Sequence, residues 1–127
     1  MKWFQYDGLP ADFFNVSPHN IGTWLEGPSV FKIRGENQSL PPLLVSTLLH
    51  GNETTGFFAL QEFLKKYRDQ ERGLPRSLII LIGNPEASAK SSRHLSTQPD
   101  YNRIWGLYGK TSKLSEENVM ANEILDY

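Results

Sequence analysis

Two short apolar runs bracket an amphipathic segment, and that arrangement restricts the fold more than any other feature of the chain. "LLVSTLL" (43–49) lies between a Pro-Pro pair and a His-Gly step, and "SLIILIGNP" (77–85) ends in Gly-Asn-Pro. Runs this short and continuous, rich in Leu, Ile and Val, read as strands buried on both faces, as in a parallel sheet. Between them, in "TTGFFALQEFLKKYRDQ", Phe57, Leu60, Phe63, Leu64 and Tyr67 recur at helical spacing, while Gln61, Glu62, Lys65 and Lys66 fill the other face. Lys65, Lys66 and Arg68 come toward the end, where cations complement the helix dipole. "RGLPR" then stops the helix. Strand, helix, strand at this spacing predicts a βαβ unit: two parallel strands joined by a right-handed crossover.

The remainder of the chain is read around that unit. "SVFKIRG" (29–35) alternates and predicts a half-exposed strand near a sheet edge. "LPADFFNV" predicts a short helix with Pro10 in its first turn. "LSEENVMANEILDY" predicts a helix with Ser115 as N-cap and Glu116 and Glu117 in the first turn. Residues 86–112 keep no period and read as one long loop, of a length that in a compact domain points to function. With 127 residues the chain makes one domain at most, or part of one.

Composition removes several classes. A net charge of −1 gives nucleic acid or an anionic membrane nothing to attract. The absence of cysteine excludes disulfides, cysteine-ligated zinc and cysteine nucleophiles, and fits a reducing compartment. "MKWFQYDGLP" lacks the apolar stretch of a signal peptide. No apolar run approaches the ~18 residues of a spanning helix. The expectation is a cytoplasmic protein with neither nucleic acid nor membrane as partner.

Ligands of open α/β sheets bind outside the carboxyl ends of the strands. Two segments meet there: "HGNET" after the first apolar run and the long loop after the second. Together they carry His50, Glu53, Arg93, His94, Asp100, Asn102 and Arg103. His50 and Glu53, three apart, fall on one side of a helical turn, where an imidazole and a carboxylate can converge on one divalent ion. Gly51 lets the backbone turn sharply between strand and helix. The plainer alternative is that Asn52 or Thr54 caps the helix and Glu53 only favours its positive end. Arginine grips carboxylates through paired hydrogen bonds. Asn102 beside Arg103 makes a neutral and a cationic donor suited to a carboxylate; a solvated loop is the alternative. His94 is a third ligand or a packed or solvated side chain, Asp100 orients an arginine or holds the loop, and His19 in "VSPHN" has no assignment.

"HGNETTG", "GNPEA", the arginine of "SSRH" and "DYNRIWG", in that order and spacing, resemble the succinylglutamate desuccinylase/aspartoacylase family of the zinc carboxypeptidase superfamily. The resemblance runs from residue 43 onward. It implies an α/β fold with a zinc-carboxypeptidase-like mixed sheet and flanking helices, and one zinc ion with His50 and Glu53 as its first two ligands. It implies that Arg93 polarises the scissile carbonyl and that Asn102 and Arg103 bind a substrate carboxylate. The implied activity is hydrolysis of the amide bond of an N-acyl amino acid or similar small molecule. Tyr101 stands where the family usually has leucine, and Trp105 where it often has phenylalanine. The family's third zinc ligand, a histidine in an aspartate-x-histidine motif, and its later catalytic glutamate have no counterpart in this sequence.

The expectation is therefore that residues 1–127 form the N-terminal part of a single catalytic domain. Such a piece is inactive alone and prone to self-associate through the sheet it leaves open. Two other readings stand beside it. One is a carboxylate-binding homologue without catalysis. The other is an α/β domain with an accidental H-x-x-E.

Overall fold

The computed structural model describes residues 1–106 and 115–127. In chain order the elements are β1 (Phe4–Asp7), a 3-10 turn (Ala11–Asn15), α1 (Ile21–Trp24), β2 (Ser29–Ile33), β3 (Leu43–Thr47), α2 (Thr55–Asp69), β4 (Leu78–Ile82), α3 (Pro85–Ala89) and α4 (Glu116–Asp126). The four strands form one sheet in the order β1-β2-β4-β3. β3 and β4 pair in parallel from Leu43↔Leu78 to Thr47↔Ile82, so the βαβ unit is present and both strands end at one edge. β1 and β2 are also parallel, and the two pairs meet antiparallel at β2 and β4. The sheet is mixed and flanked by helices, the architecture the resemblance implies.

Side-chain alternation along the strands sends two sets of residues to opposite faces. Phe31, Leu78, Ile80 and Ile82 pack with Phe57, Leu60 and Leu64 of α2 and with Phe13, Ile21 and Leu25 of the N-terminal segment. Val30 and Leu81 pack with Met120, Ala121 and Ile124 of α4 and with Tyr101 and Ile104. The α4 start follows the expected capping. Ser115 Oγ accepts from the Asn118 amide at 3.2 Å, and the Asn118 side chain returns a bond to the Ser115 amide. Asn118 Nδ2 also donates to the Ile104 carbonyl at 3.0 Å, which ties the helix to the end of the preceding loop.

Several expectations give way. β2 is an interior strand between β1 and β4, with Ser29, Val30 and Phe31 buried. β3 is the edge, and its Leu43 and Leu44 are 49% and 48% exposed. Both strands were displaced by what lies beyond their own residues: β1, only four residues long, covers β2, and nothing among the described residues covers the outer side of β3. Residues 85–89 of the long loop form α3, because Asn84 accepts from the Ala87 amide and Pro85 fits the first helical position. Residues 107–112 of that expected loop lie outside the described residues. Gln61, expected on the polar face of α2, is buried; its amide donates 2.8 Å bonds to the Phe13 and Val16 carbonyls. Phe63 is exposed in its place. The segment "LPADFFNV" makes a 3-10 turn with Pro10 just ahead of it. Among the described residues no helix is long and apolar enough to cross a membrane.

Candidate metal and substrate site

The carboxyl ends of β3 and β4 are locked by two backbone bonds: Gly83 N to Thr47 O at 3.0 Å and Asn84 N to Leu48 O at 2.8 Å. Leu48 has φ 54°, in the left-handed region that non-glycine residues rarely adopt. That residue ends the ladder and turns the chain inward. The Glu53 amide then donates to the His50 carbonyl at 3.1 Å, closing a turn that brings the two side chains together. Gly51 sits in this turn for want of space. A Cβ there would lie 2.2 Å from Ser88 N, 2.3 Å from Ala87 C and 2.6 Å from Ser92 O. Its φ is not positive, so the requirement is close approach to α3 and the turn after it. The Gly51 amide also donates to the Arg93 carbonyl at 3.0 Å, which fixes the arginine-bearing loop beside His50. Neither proposed cap operates: Thr54 occupies the N-cap position of α2 without a side-chain bond.

His50 is only 3% exposed. Its Nε2 lies 2.7 Å from Asp100 Oδ1. Its Nδ1 lies 3.1 Å from Glu53 Oε1, yet off the line a hydrogen bond needs, so that buried nitrogen has no hydrogen-bond partner. Two ligands each about 2.1 Å from one zinc ion must themselves stand roughly 3–3.4 Å apart. The orphaned nitrogen and the carboxylate oxygen therefore have the identity and the separation of two ligands of one ion. Among the described residues no group of three or more His, Asp and Glu side chains converges as a complete metal site.

Asp100 is the residue whose part spacing did not reveal. It lies 50 positions from His50, and no local pattern links the two. Its Oδ1 also accepts from the Asn102 amide at 2.9 Å, and its Oδ2 accepts from Arg93 Nε at 3.2 Å and Nη2 at 2.9 Å. The His50 ring, then the Arg93 guanidinium and the Asn102 amide, hold its carboxyl well below the usual carboxylate range. Burial of the His50 ring opposes protonation, but the hydrogen bond to Asp100 and the close negative charge of the Glu53 carboxylate outweigh it, and the imidazole pKa is raised.

The other sequence-predicted residues separate. Arg93 joins the cluster through Asp100. Asn102 and Arg103 lie on the next turn, closed by the Arg103 amide donating to the Asp100 carbonyl at 2.9 Å, and both are exposed. Trp105 Nε1 bonds the Tyr101 carbonyl at 2.7 Å, and Tyr101 is buried under α4, so this turn hangs on the core. His94 does not reach the site; its Nδ1 contacts the Leu95 carbonyl at 2.8 Å. His19 lines a hollow of about 360 Å³ with Ser17, Thr54 and Phe58; it takes in Gly51 and Asn52 of the turn that carries the site but neither His50 nor Glu53.

A parallel βαβ unit with His-x-x-Glu at its first strand end, and an arginine-bearing loop folded onto that histidine, defines an α/β protein with a cluster of polar and charged side chains at the carboxyl edge of its sheet. The profile of the succinylglutamate desuccinylase/aspartoacylase catalytic domain matches residues 39–126, and the chain belongs to that family. It is 29% identical over 82 residues to a succinylglutamate desuccinylase of Serratia proteamaculans, a match covering 65% of this chain and 24% of the relative. It is 25% identical over 119 residues to that of Yersinia enterocolitica, covering 94% of this chain and 35% of the relative. It is 30% identical over 83 residues to that of Yersinia pestis, covering 65% and 24%. The chain thus spans about a quarter to a third of the length of these curated relatives. No solved structure matches it.

Proposed function

We propose that this chain supplies the first two zinc ligands and the substrate-gripping arginines of a hydrolase that cleaves the amide bond of an N-acyl amino acid or similar small carboxylate. The observation that carries the reading is the buried His50 Nδ1, without a hydrogen bond and 3.1 Å from a carboxylate oxygen. When bound, zinc lowers the pKa of a coordinated water toward ~7 and polarises a carbonyl. Arg93 offers its guanidinium to the carbonyl oxygen, where a fixed cation favours developing negative charge. Exposed Asn102 and Arg103 offer donors to the substrate carboxylate. The reading places residues 1–127 as the N-terminal part of one catalytic domain, with the third ligand and the general base supplied from outside these residues. It also places the protein in the cytoplasm, where a cysteine-free chain loses nothing.

The test is zinc affinity by calorimetry for the wild type, His50→Ala and Glu53→Ala. Both variants are expected to bind more weakly. Equal affinity in all three sinks the assignment. A second reading, a carboxylate-binding homologue without catalysis, draws on the lack of a third converging ligand among the described residues. Turnover of N-acyl amino acids by the longest natural form of the protein, in the presence of zinc, rules it out.

A further inference from the structure

The side-chain amides of Asn84 and Gln98 form a relay of hydrogen bonds with one direction. The Ala87 amide donates to Asn84 Oδ1 at 3.1 Å, and Asn84 Nδ2 donates to Gln98 Oε1 at 2.8 Å. The Leu95 amide donates to the same Gln98 oxygen at 3.0 Å, and Gln98 Nε2 reaches Glu86 Oε2 at 3.4 Å. Two of these donors are backbone N–H groups, which cannot accept. They fix both side chains: each must turn its oxygen to the backbone, so Asn84 has only its NH2 left to face Gln98 Oε1. Asn84 is buried, so this polarity is set away from water.

The relay joins the end of β4, the first turn of α3 and the loop beyond. Residues 94–99 leave the candidate site at Arg93, whose carbonyl accepts from the Gly51 amide, and return to it at Asp100, which is bonded to His50. Between those anchors the segment also bonds to itself, Gln98 N to Leu95 O at 3.0 Å and His94 Nδ1 to Leu95 O at 2.8 Å. Among the described residues, only the Gln98 side chain carries hydrogen bonds from the segment to the rest of the fold.

We propose that Gln98 is a positioning residue: its clasp on Asn84 holds residues 94–99 against the head of α3 as a fixed wall of the substrate site. The inference deepens the proposed function and rests on it for the substrate; the clasp itself needs neither substrate nor metal. Arg93 and Asp100 keep their own anchors, so opening the clasp frees the wall and leaves the polar cluster at His50 in place. A substrate must then order the loop as it binds, and affinity falls by the fraction of molecules already in the competent form. The effect falls on KM and spares kcat, because bound substrate meets the same groups.

The polarity of the relay supplies the test. In Gln98→Glu a carboxylate still accepts from Asn84 and from the Leu95 amide, and the exposed Glu86 side chain turns into solvent. In Gln98→Met, of similar length, both bonds are lost. In Asn84→Asp the cap on α3 survives, but acceptor faces acceptor at Gln98. The Gln98 amide then turns over to donate to the carboxylate and drops the Leu95 amide.

The experiment combines hydrogen exchange at the Leu95 amide, zinc affinity, and steady-state hydrolysis of N-acetyl and N-succinyl amino acids, on the longest natural form of the protein at neutral pH. Leu95 is expected to be protected in the wild type and in Gln98→Glu, and to exchange about tenfold faster in Gln98→Met and Asn84→Asp. KM is expected to rise about tenfold in those two, with kcat and zinc affinity unchanged, and to return to the wild-type value in Gln98→Glu. If Gln98→Met fails to fold, Asn84→Asp carries the test, because it keeps the α3 cap. Equal protection of Leu95 in all four proteins overturns the proposal. So does a loss that falls on kcat or zinc affinity as heavily as on KM, the mark of a merely structural glutamine. Leu95 released in the two variants of a wild type that turns over none of these substrates upholds the clasp and refutes the proposed function. Turnover with one KM throughout, whatever the exchange at Leu95, does the reverse.

Discussion

Two glycines five residues apart are expected to respond to the same substitution with opposite signs. At Gly51 an added Cβ would meet Ser88 N at 2.2 Å, Ala87 C at 2.3 Å and Ser92 O at 2.6 Å. All three are backbone atoms of α3 and its following turn, so no side chain can rotate away; the two segments must part by about an ångström. Overpacking of a tight site costs roughly 1–3 kcal/mol, and backbone on three sides puts Gly51→Ala at about 3 kcal/mol or above. Against a typical domain stability of about 5–15 kcal/mol that is a large share. At Gly56, in the first turn of α2, the Cβ meets only Thr47 Oγ1 at 3.6 Å, an ordinary contact. There the gain is helix propensity, up to about 0.5–1 kcal/mol. Urea titration followed by circular dichroism reads both. With a slope near 1–3 kcal/mol per molar, Gly51→Ala lowers the midpoint by about 1–3 M, and Gly56→Ala leaves it unchanged or raises it. A Gly51→Ala protein as stable as the wild type would refute the close-approach argument, as would an equal loss at Gly56.

The remaining expectations come from single contacts. Gln61→Leu keeps the volume but strands the Phe13 and Val16 carbonyls, and is expected to cost about 1–3 kcal/mol in the same titration; a neutral result would mean water replaces the amide. Tyr101 has its phenol pKa raised above the ordinary 10.0, by burial first and then by Glu117 and Glu86. The unfolded chain loses this proton near pH 10 while the folded chain keeps it. The associated stability is present below that pH and lost as pH rises above it, so the urea midpoint should fall less steeply in Tyr101→Phe. β3 carries no charged residue on its open edge, which predicts self-association that Leu44→Lys abolishes; a strictly monomeric wild type in sedimentation at micromolar concentrations would contradict this.

The βαβ unit was legible because both its strands and its helix advertise themselves by local pattern, in "LLVSTLL", "SLIILIGNP" and the recurrence of Phe57, Leu60 and Leu64. Which strand stands at the edge was not legible. β2 looked half-exposed from its alternation and is interior; β3 looked doubly buried and is open. Edge and interior are decided by neighbours elsewhere in the chain, and β1, four residues of "FQYD", is too short to show a period. The site divides in the same way. His50 and Glu53 share a turn and could be paired from spacing. The His50–Asp100 bond crosses 50 positions, so its two residues appeared only as members of two loops at one sheet edge. Gly51 was noticed for the wrong property: a sequence shows that a glycine is present, not whether it serves rotation or room.

The register of the sheet also bears on how quickly the molecule is made. None of the described ladders is closed by a tight turn: Phe4 pairs with Ser29, Leu43 with Leu78, and Ser29 with Ile82. Every ladder must wait for a long excursion of chain to return, and chains dominated by such distant pairings fold in roughly milliseconds to seconds. The β3–β4 pair closes over a shorter excursion than the β2–β4 seam, and α2 forms within it. That unit can therefore assemble first and recruit residues 1–33 afterwards. The His50–Asp100 bond has to span a comparable stretch, which makes it a late arrival. During the interval the uncharged β3 edge meets other chains before the site it carries has taken shape.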